Sequence, residues 1–244
     1  MPEGPSIILL KEAILPFKGK KIITVTGNTK TIELHRLKNE KIIDFKSWGK
    51  HFLICFNGFT IRIHFLLFGS YLINDEKDRL VRLGLHFKNG FINFYASSIK
   101  MIGDDLDRIY DWSGDVMNDN WNKQKAKAKL KLKPDTLVCD TLLDQNIFAG
   151  VGNIIKNEVL YRIRVHPESK IGTLPARKLT SLVEEARNYS FDFLKWKRDY
   201  ELKKHWLAHT KKMCSRCDLP IVKKYTGKYN RRSFFCSNCQ VLYK

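Results

Sequence analysis

No apolar run in the 244 residues approaches the roughly 18 needed to cross a membrane, and no secretory signal opens the chain. No internal repeat is present. A basic membrane-surface protein would need a long amphipathic stretch rich in lysine and apolar residues, and none is found. Acidic residues are scarce: 25 Asp and Glu stand against 44 Lys and Arg, for a net charge of +19 and a pI near 9.7. Residues 195–244 alone hold 14 Lys/Arg against 3 Asp/Glu. A polyanion is the partner such a balance suits. With 43% apolar content the chain can bury a large core in one or two domains. The expectation is an intracellular protein, of the bacterial cytoplasm or an equivalent compartment, monomeric and with no membrane association.

Cysteines are few, and their positions sort them. Cys55 and Cys139 sit in apolar stretches and read as small buried hydrophobes. The other four form Cys214-x2-Cys217-x18-Cys236-x2-Cys239, two knuckles that can each give two thiolates to one tetrahedral ion. Two disulfides would also use four cysteines, but an intracellular chain favours structural zinc. His205 and His209 have metal-like spacing too. Four thiolates already complete a structural site, so these histidines are expected on the face of a basic helix.

In chain order, residues 6–15 carry Ile7, Leu10 and Ile14 on one helical face, with Pro16 as the stop. Short runs rich in Ile, Val and Phe follow at Lys21–Thr26, Lys41–Lys46, His51–Phe56, Thr60–Phe65, Leu80–Phe87 and Phe91–Tyr95. Asn57-Gly58 and Asn89-Gly90 mark hairpins between them. This pattern predicts an antiparallel β-sandwich domain with a short N-terminal helix over residues 1–112. Residues 113–134 turn acidic and then lysine-rich, with Lys123, Lys125, Lys127, Lys129, Lys131 and Lys133 at alternate positions. A solvated linker is the expectation there.

Beyond Asp135 the apolar period becomes helical, as at Leu179, Leu182, Val183 and Ala186. Two helices, 136–148 and 154–164, are expected to flank Gly150-Val151-Gly152-Asn153. Asn153 would cap the second helix. A turn that presents amides at a helix start can hold a phosphate, and it can equally be a tight corner. The fold class is therefore α+β and multidomain. A helical domain covers residues 135–210 and a four-cysteine finger covers 211–244.

The N-terminal Met1-Pro2-Glu3-Gly4-Pro5 carries the reactive chemistry. Removal of Met1 would leave Pro2 with a free secondary amine, and an α-amino group titrates near about 8. Such an amine is partly unprotonated at neutral pH and attacks a sugar or carbonyl carbon to give an iminium. Glu3 places a proton-shuttling carboxylate next to it. Pro2-Glu3-Gly4-Pro5 also suits a turn at a frayed terminus.

Taken together, several stretches resemble the formamidopyrimidine-DNA glycosylase/endonuclease VIII family. They are Pro2-Glu3-Gly4-Pro5, Trp48-Gly49-Lys50, His64-Phe65-Leu66-Leu67-Phe68-Gly69, Leu143-Asp144-Gln145 with Gly150-Val151-Gly152-Asn153-Ile154 and Glu158-Val159-Leu160, and Arg231 to Gln240. All of them occur in the family's order. The resemblance implies a β-sandwich, a helix–two-turns–helix domain and a zinc finger, acting on double-stranded DNA with oxidised bases or abasic sites. It implies a bifunctional DNA glycosylase and AP lyase of base excision repair. Pro2 would attack C1′, Glu3 would move protons, and β- and δ-elimination would cleave the strand. Lys50 would sit near the phosphate or sugar oxygen, while Asn153 and Arg231 would grip phosphates.

Some positions depart from the family pattern. Ser6 stands where a glutamate is usual. Leu67, Lys100 and Ile102 fall where the family places the residues that fill the void of the flipped base, commonly Met, Arg and Phe. Core packing would account for Leu67 and Ile102 equally well. No glycine occurs between Gly172 and Gly227, where purine-specific members carry a glycine-containing loop. This gap, with Gly4, points to the endonuclease VIII branch and to oxidised pyrimidines. The alternative reading is a non-catalytic nucleic-acid-binding zinc protein.

Overall fold

In the computed structural model, which describes residues 2–244, the first helix is α1 (Gly4–Ala13). It starts two residues earlier than the apolar spacing suggests, because the first turn tolerates Pro5, whose missing N–H has no helical partner there. Ile7 and Leu10 are buried on one face. Pro16 does not abruptly stop the chain but lies in a 3₁₀ turn, Leu15–Phe17, that also buries Phe17.

Six strands follow: β1 (Thr24–Thr26), β2 (Asp44–Trp48), β3 (His51–Cys55), β4 (Thr60–Ile73), β5 (Leu83–Phe87) and β6 (Gly90–Ile102). They form one antiparallel sheet in the order β1-β5-β6-β4-β3-β2. The residues ahead of the two outer strands meet each other. Ile22 donates to the Glu40 carbonyl at 2.9 Å and Ile42 to the Lys20 carbonyl at 3.0 Å, around a bridge between Lys21 and Lys41. The core lies inside this seam, with Ile7, Leu10 and Ile14 meeting Phe52, Ile54, Ile63, Phe94 and Ile99. A single turn of helix, α2 (Leu106–Ile109), precedes Tyr110, the last residue of this first unit.

The second unit runs from Asp111 to Lys244. Its helices are α3 (Lys123–Lys131), α4 (Val138–Leu143), α5 (Asn153–Arg162) and α6 (Ala176–Arg198), followed by the hairpin β7 (Val222–Thr226) and β8 (Arg231–Phe235). The lysine-rich stretch expected as a linker thus holds a helix inside this unit. Asn122 caps it, its side chain accepting from the Lys125 amide at 2.9 Å. Ala126 and Leu130, four residues apart, both enter the core. Burying a leucine is worth about 1.5–3 kcal/mol, whereas like-charged neighbours on a helix cost a few tenths, so packing decides. Lys125 and Lys129 then converge on Asp111 at 3.0 and 2.9 Å. Burial alone would raise that carboxyl, but the Ser113 hydroxyl and the two ammoniums outweigh it and hold it well below the usual range.

The predicted helix 136–148 is shorter, because side chains take over the turn. Asp144 accepts from the Asn146 amide at 3.0 Å. The Gln145 amide group spans the loop, accepting from the Gly150 N–H at 3.1 Å and donating to the Leu143 and Val151 carbonyls at 2.9 and 3.1 Å. Gly150 takes φ 99°, a backbone state that glycine alone adopts cheaply.

Candidate active site and metal centre

Pro2 is half-buried and Glu3 is only 4% exposed, at the head of α1. Glu3 occupies the N-cap position, yet its side chain makes no capping hydrogen bond to the helix. The helix packs against β2 and β3, the two strands whose turn carries Lys50. That turn is Gly49-Lys50, with Gly49 at φ 54°, as the first central position of a mirror-image hairpin turn requires.

Below the Lys50 turn lies a pair of histidines. His51 and His64 are cross-strand partners with ring centroids 5.3 Å apart, and the Trp48 ring lies 5.6 Å from His51. The Nδ1 atoms of both histidines are buried without a hydrogen-bond partner. Burial pulls His51 down to about 3, helped by the nearby charges of His64, Arg62 and Lys50. Burial lowers His64 as well, against the lift of its hydrogen bond to the Lys50 backbone. Between about pH 6.5, where an unfolded histidine titrates, and about pH 3, the unfolded chain binds the proton that native His51 refuses. Stability is therefore complete above about pH 6.5 and declines as the pH falls through that window. Thermal unfolding from pH 8 to 5 is expected to show this decline, and His51→Gln should flatten its slope by up to one proton. An unchanged slope would mean that His51 is not held neutral.

Leu67 sits on an exposed bulge of β4, facing Ala96 of β6. Lys100 pairs with Arg62 and Ile102 with Thr60 further along the same strands. At about 3.3 Å per residue, these lie about 13 and 20 Å along β6 from Ala96. The register thus separates Leu67 from Lys100 and Ile102. Lys100 is exposed and Ile102 half-buried.

In the second unit, Gly152 rather than Asn153 holds the N-cap position of α5, at φ −119° and ψ −162°. Asn153 is the first helical residue, and its side-chain amide donates to the Arg232 carbonyl at 3.0 Å. With Lys156 and Asn157 it ties α5 to the hairpin, while Glu158 holds the segment that precedes it. Lys156, fully buried, donates to the Ser233 hydroxyl at 2.8 Å. Asn157 accepts from the Phe234 amide at 3.3 Å and touches His209 Nδ1 at 3.0 Å. The Glu158 carboxylate accepts from the successive amides of Leu207, Ala208 and His209 at 2.8, 2.9 and 2.7 Å. Asp140 does the same for the β7–β8 turn, accepting from the Lys228 amide at 3.0 Å. None of Asp140, Lys156, Asn157 or Glu158 was singled out for this task by its spacing, since the partners lie 49–88 residues away.

Of the two metal-spaced histidines, His205 ends a short basic 3₁₀ helix and His209 lies outside any helix. His205 is in a 3₁₀ turn and stacks on Trp196 at 4.2 Å and 9°, while His209 follows in the loop held by Glu158. On β8, Arg232 is engaged by Tyr225, its guanidinium donating to the phenol oxygen at 2.8 Å. No described side chain bonds the guanidinium of Arg231.

The four spaced cysteines converge. Cys214, Cys217, Cys236 and Cys239 bring their sulfurs within 4.8 Å of one another, with Cys214 and Cys239 at 3.8 Å. A tetrahedral zinc with bonds of about 2.3 Å would space thiolates about 3.8 Å apart, so the donor set fits the ion. Cys214 and Cys239 are shifted in opposite directions. Burial works against ionising Cys214, but hydrogen bonds from Tyr161 and from the Arg216 and Cys217 backbone bring it down to about 6. Burial and the surrounding thiols push Cys239 up to about 12. Four thiolates cannot coexist there without a cation. Of the remaining cysteines, Cys139 is buried and Cys55 half-buried.

The fold and these sites define a class: proteins that join a Pro-Glu-headed β unit to a helical unit with a four-cysteine hairpin. Residues 1–98 match the formamidopyrimidine-DNA glycosylase N-terminal domain, and residues 114–189 match the formamidopyrimidine-DNA glycosylase H2TH domain. The chain belongs to the formamidopyrimidine-DNA glycosylase/endonuclease VIII family.

Among its relatives, mouse endonuclease 8-like 3 is 30% identical over 201 residues, covering 79% of this chain. This chain spans 33% of the length of that relative. The formamidopyrimidine-DNA glycosylase of Lactobacillus helveticus is 26% identical and covers 100% of both chains. In fold, a crystal structure of a viral DNA glycosylase superposes with a TM-score of 0.85 at 20% identity, covering 98% of this chain and 100% of that one. The Lactococcus lactis formamidopyrimidine-DNA glycosylase, bound non-covalently to DNA containing an AP site, gives 0.87 at 20% identity, covering 98% and 99%. No described helix is long and apolar enough to cross a membrane.

Proposed function

We propose that the protein is a bifunctional DNA glycosylase and AP lyase of base excision repair that removes oxidised bases from double-stranded DNA. The observation that carries this reading is the carboxylate of Glu3, buried beside Pro2 at the head of α1. With Met1 removed, the Pro2 amine attacks C1′ and expels the base. Glu3 protonates the opening sugar and then moves the protons of β- and δ-elimination. Lys50 lies near the sugar or phosphate oxygen. C1′ is out of reach inside a duplex, so the damaged nucleotide is flipped out at a cost of a few kcal/mol. The Arg231 guanidinium, free of Tyr225, and the helix start at Asn153 take phosphates. Cys214, Cys217, Cys236 and Cys239 hold a structural zinc that fixes the hairpin presenting Arg231.

The preferred substrates are oxidised pyrimidines such as thymine glycol and dihydrouracil, together with ring-opened and hydantoin lesions. In support, the region after α6 offers no glycine-containing loop. It runs through a 3₁₀ turn at Leu202–His205 into the Glu158-held segment Leu207–His209, which leaves no slack segment to fold over a purine. Single-turnover excision on matched duplexes tests this. Thymine glycol should be released faster than 8-oxoguanine, and the reverse order would overturn the preference.

A further inference from the structure

Strands β4 and β6 are in register on either side of an interruption, Phe65 opposite Ser97 and Ser70 opposite Tyr95. Between those rungs four residues, Leu66, Leu67, Phe68 and Gly69, face the single residue Ala96. The surplus is extruded. Leu66, Leu67 and Phe68 are 50%, 54% and 74% exposed, so the tip is aromatic and its flanks aliphatic. The base of the loop is tight. A side chain on Gly69 would come within 2.7 Å of the Ala96 carbonyl and 2.8 Å of Phe65 Cβ, and Ala96 itself is at φ 44°.

One residue grips this base from outside the two strands. Lys77, in the connection between β4 and β5, donates to the Ser70 hydroxyl, and its ammonium lies 4.2 Å over the Tyr95 ring. Ser70 and Tyr95 are the rung next to the bulge, so a single ammonium holds both strands at the point where the loop departs. An ammonium does both jobs through hydrogen bonding and attraction to the ring face.

We propose that Lys77 is a positioning residue which braces Leu66–Phe68 as an aromatic-tipped wedge for the base stack of duplex DNA. The proposal rests on the reading of the chain as a DNA glycosylase. A wedge must resist the stack it opens, because a loop free to fold back would yield before the bases do. Phe68 supplies a ring face on which any base can stack, so the device is indifferent to sequence.

The test uses the whole chain with duplexes that carry 2-aminopurine beside an abasic-site analogue, and it compares wild type with Lys77→Met, Lys77→Arg and Phe68→Ala. Wild type should raise the fluorescence of the neighbouring base on binding. Lys77→Met and Phe68→Ala should bind but lose most of that rise, and Lys77→Arg should restore it. Lys77→Met should also lower the ratio of duplex to single-strand excision about tenfold with an unchanged melting temperature. Equal loss on both substrates, or a lowered melting temperature that Lys77→Arg does not repair, would show a purely structural role. Wild type that binds without a fluorescence rise would overturn the wedge while leaving the glycosylase reading intact. Failure to bind damaged DNA at all would sink the glycosylase reading first.

Discussion

Borohydride is expected to trap this protein covalently on DNA containing an abasic site, with the adduct mapping to Pro2. Only an imine is reduced to a stable link, and a secondary amine at the chain start forms one without the deep burial a lysine needs. Extra residues kept ahead of Pro2 should abolish trapping completely, because an amide nitrogen is not a nucleophile. Glu3→Gln should slow base release by about 10²–10⁴-fold, the span that positioned proton transfer supplies. The substitution is nearly isosteric, and the native carboxylate is not a helix cap, so α1 should persist. An adduct on Lys50 would reassign the nucleophile, and an unimpaired Glu3→Gln would remove the carboxylate from the mechanism.

The second large effect concerns the cysteine hairpin. Cys236→Ser should release zinc and with it most of the DNA affinity. Structural zinc sites contribute apparent binding energies of about 10–16 kcal/mol near neutral pH, far above the margin that holds a small hairpin folded. The damage should spread, because α5 bonds directly to β8 through Asn153, Lys156 and Asn157. Arg231→Ala is the contrasting case. It should keep zinc, lose a modest part of the affinity and shallow the salt dependence by about one phosphate contact. Arg232→Ala should do less, since Tyr225 already occupies that guanidinium. Metal content by absorption spectroscopy and binding titrations across salt concentrations distinguish these outcomes. A Cys236→Ser protein that keeps both zinc and affinity would refute the site.

What the sequence made legible was whatever a few neighbouring residues decide. The paired knuckles of Cys214 to Cys239 needed only their spacing, and the structure gathers all four sulfurs. The hairpins at Asn57-Gly58 and Asn89-Gly90 followed from glycine and the apolar runs on either side of them. Features fixed by distant partners were hidden. The bulge of β4 depends on how many residues of β6 stand opposite it, so Lys100 and Ile102 could not be placed relative to Leu67. Asn153 looked like a cap because its side chain suits one. Whether it or Gly152 takes that position depends on one backbone angle. The lysine run looked solvated because its charge dominates its composition, while Ala126 and Leu130 quietly supplied the buried stripe. Glu158 carries no local sign of its role, because its three amide partners lie about fifty residues on.

The seam ahead of β1 and β2 bears on how this chain meets its own copies. A strand at a sheet border offers a row of vacant amides and carbonyls to any extended segment that drifts by, which is how strand addition and fibril growth begin. Here the chain stitches its own borders together around Lys21 and Lys41, so those amides are already spoken for. The lysines add like charge at the stitch and repel a second molecule aligned there. The protein can therefore hold out a greasy tip at Leu66–Phe68 without presenting, along that seam, a template on which neighbouring molecules could polymerise.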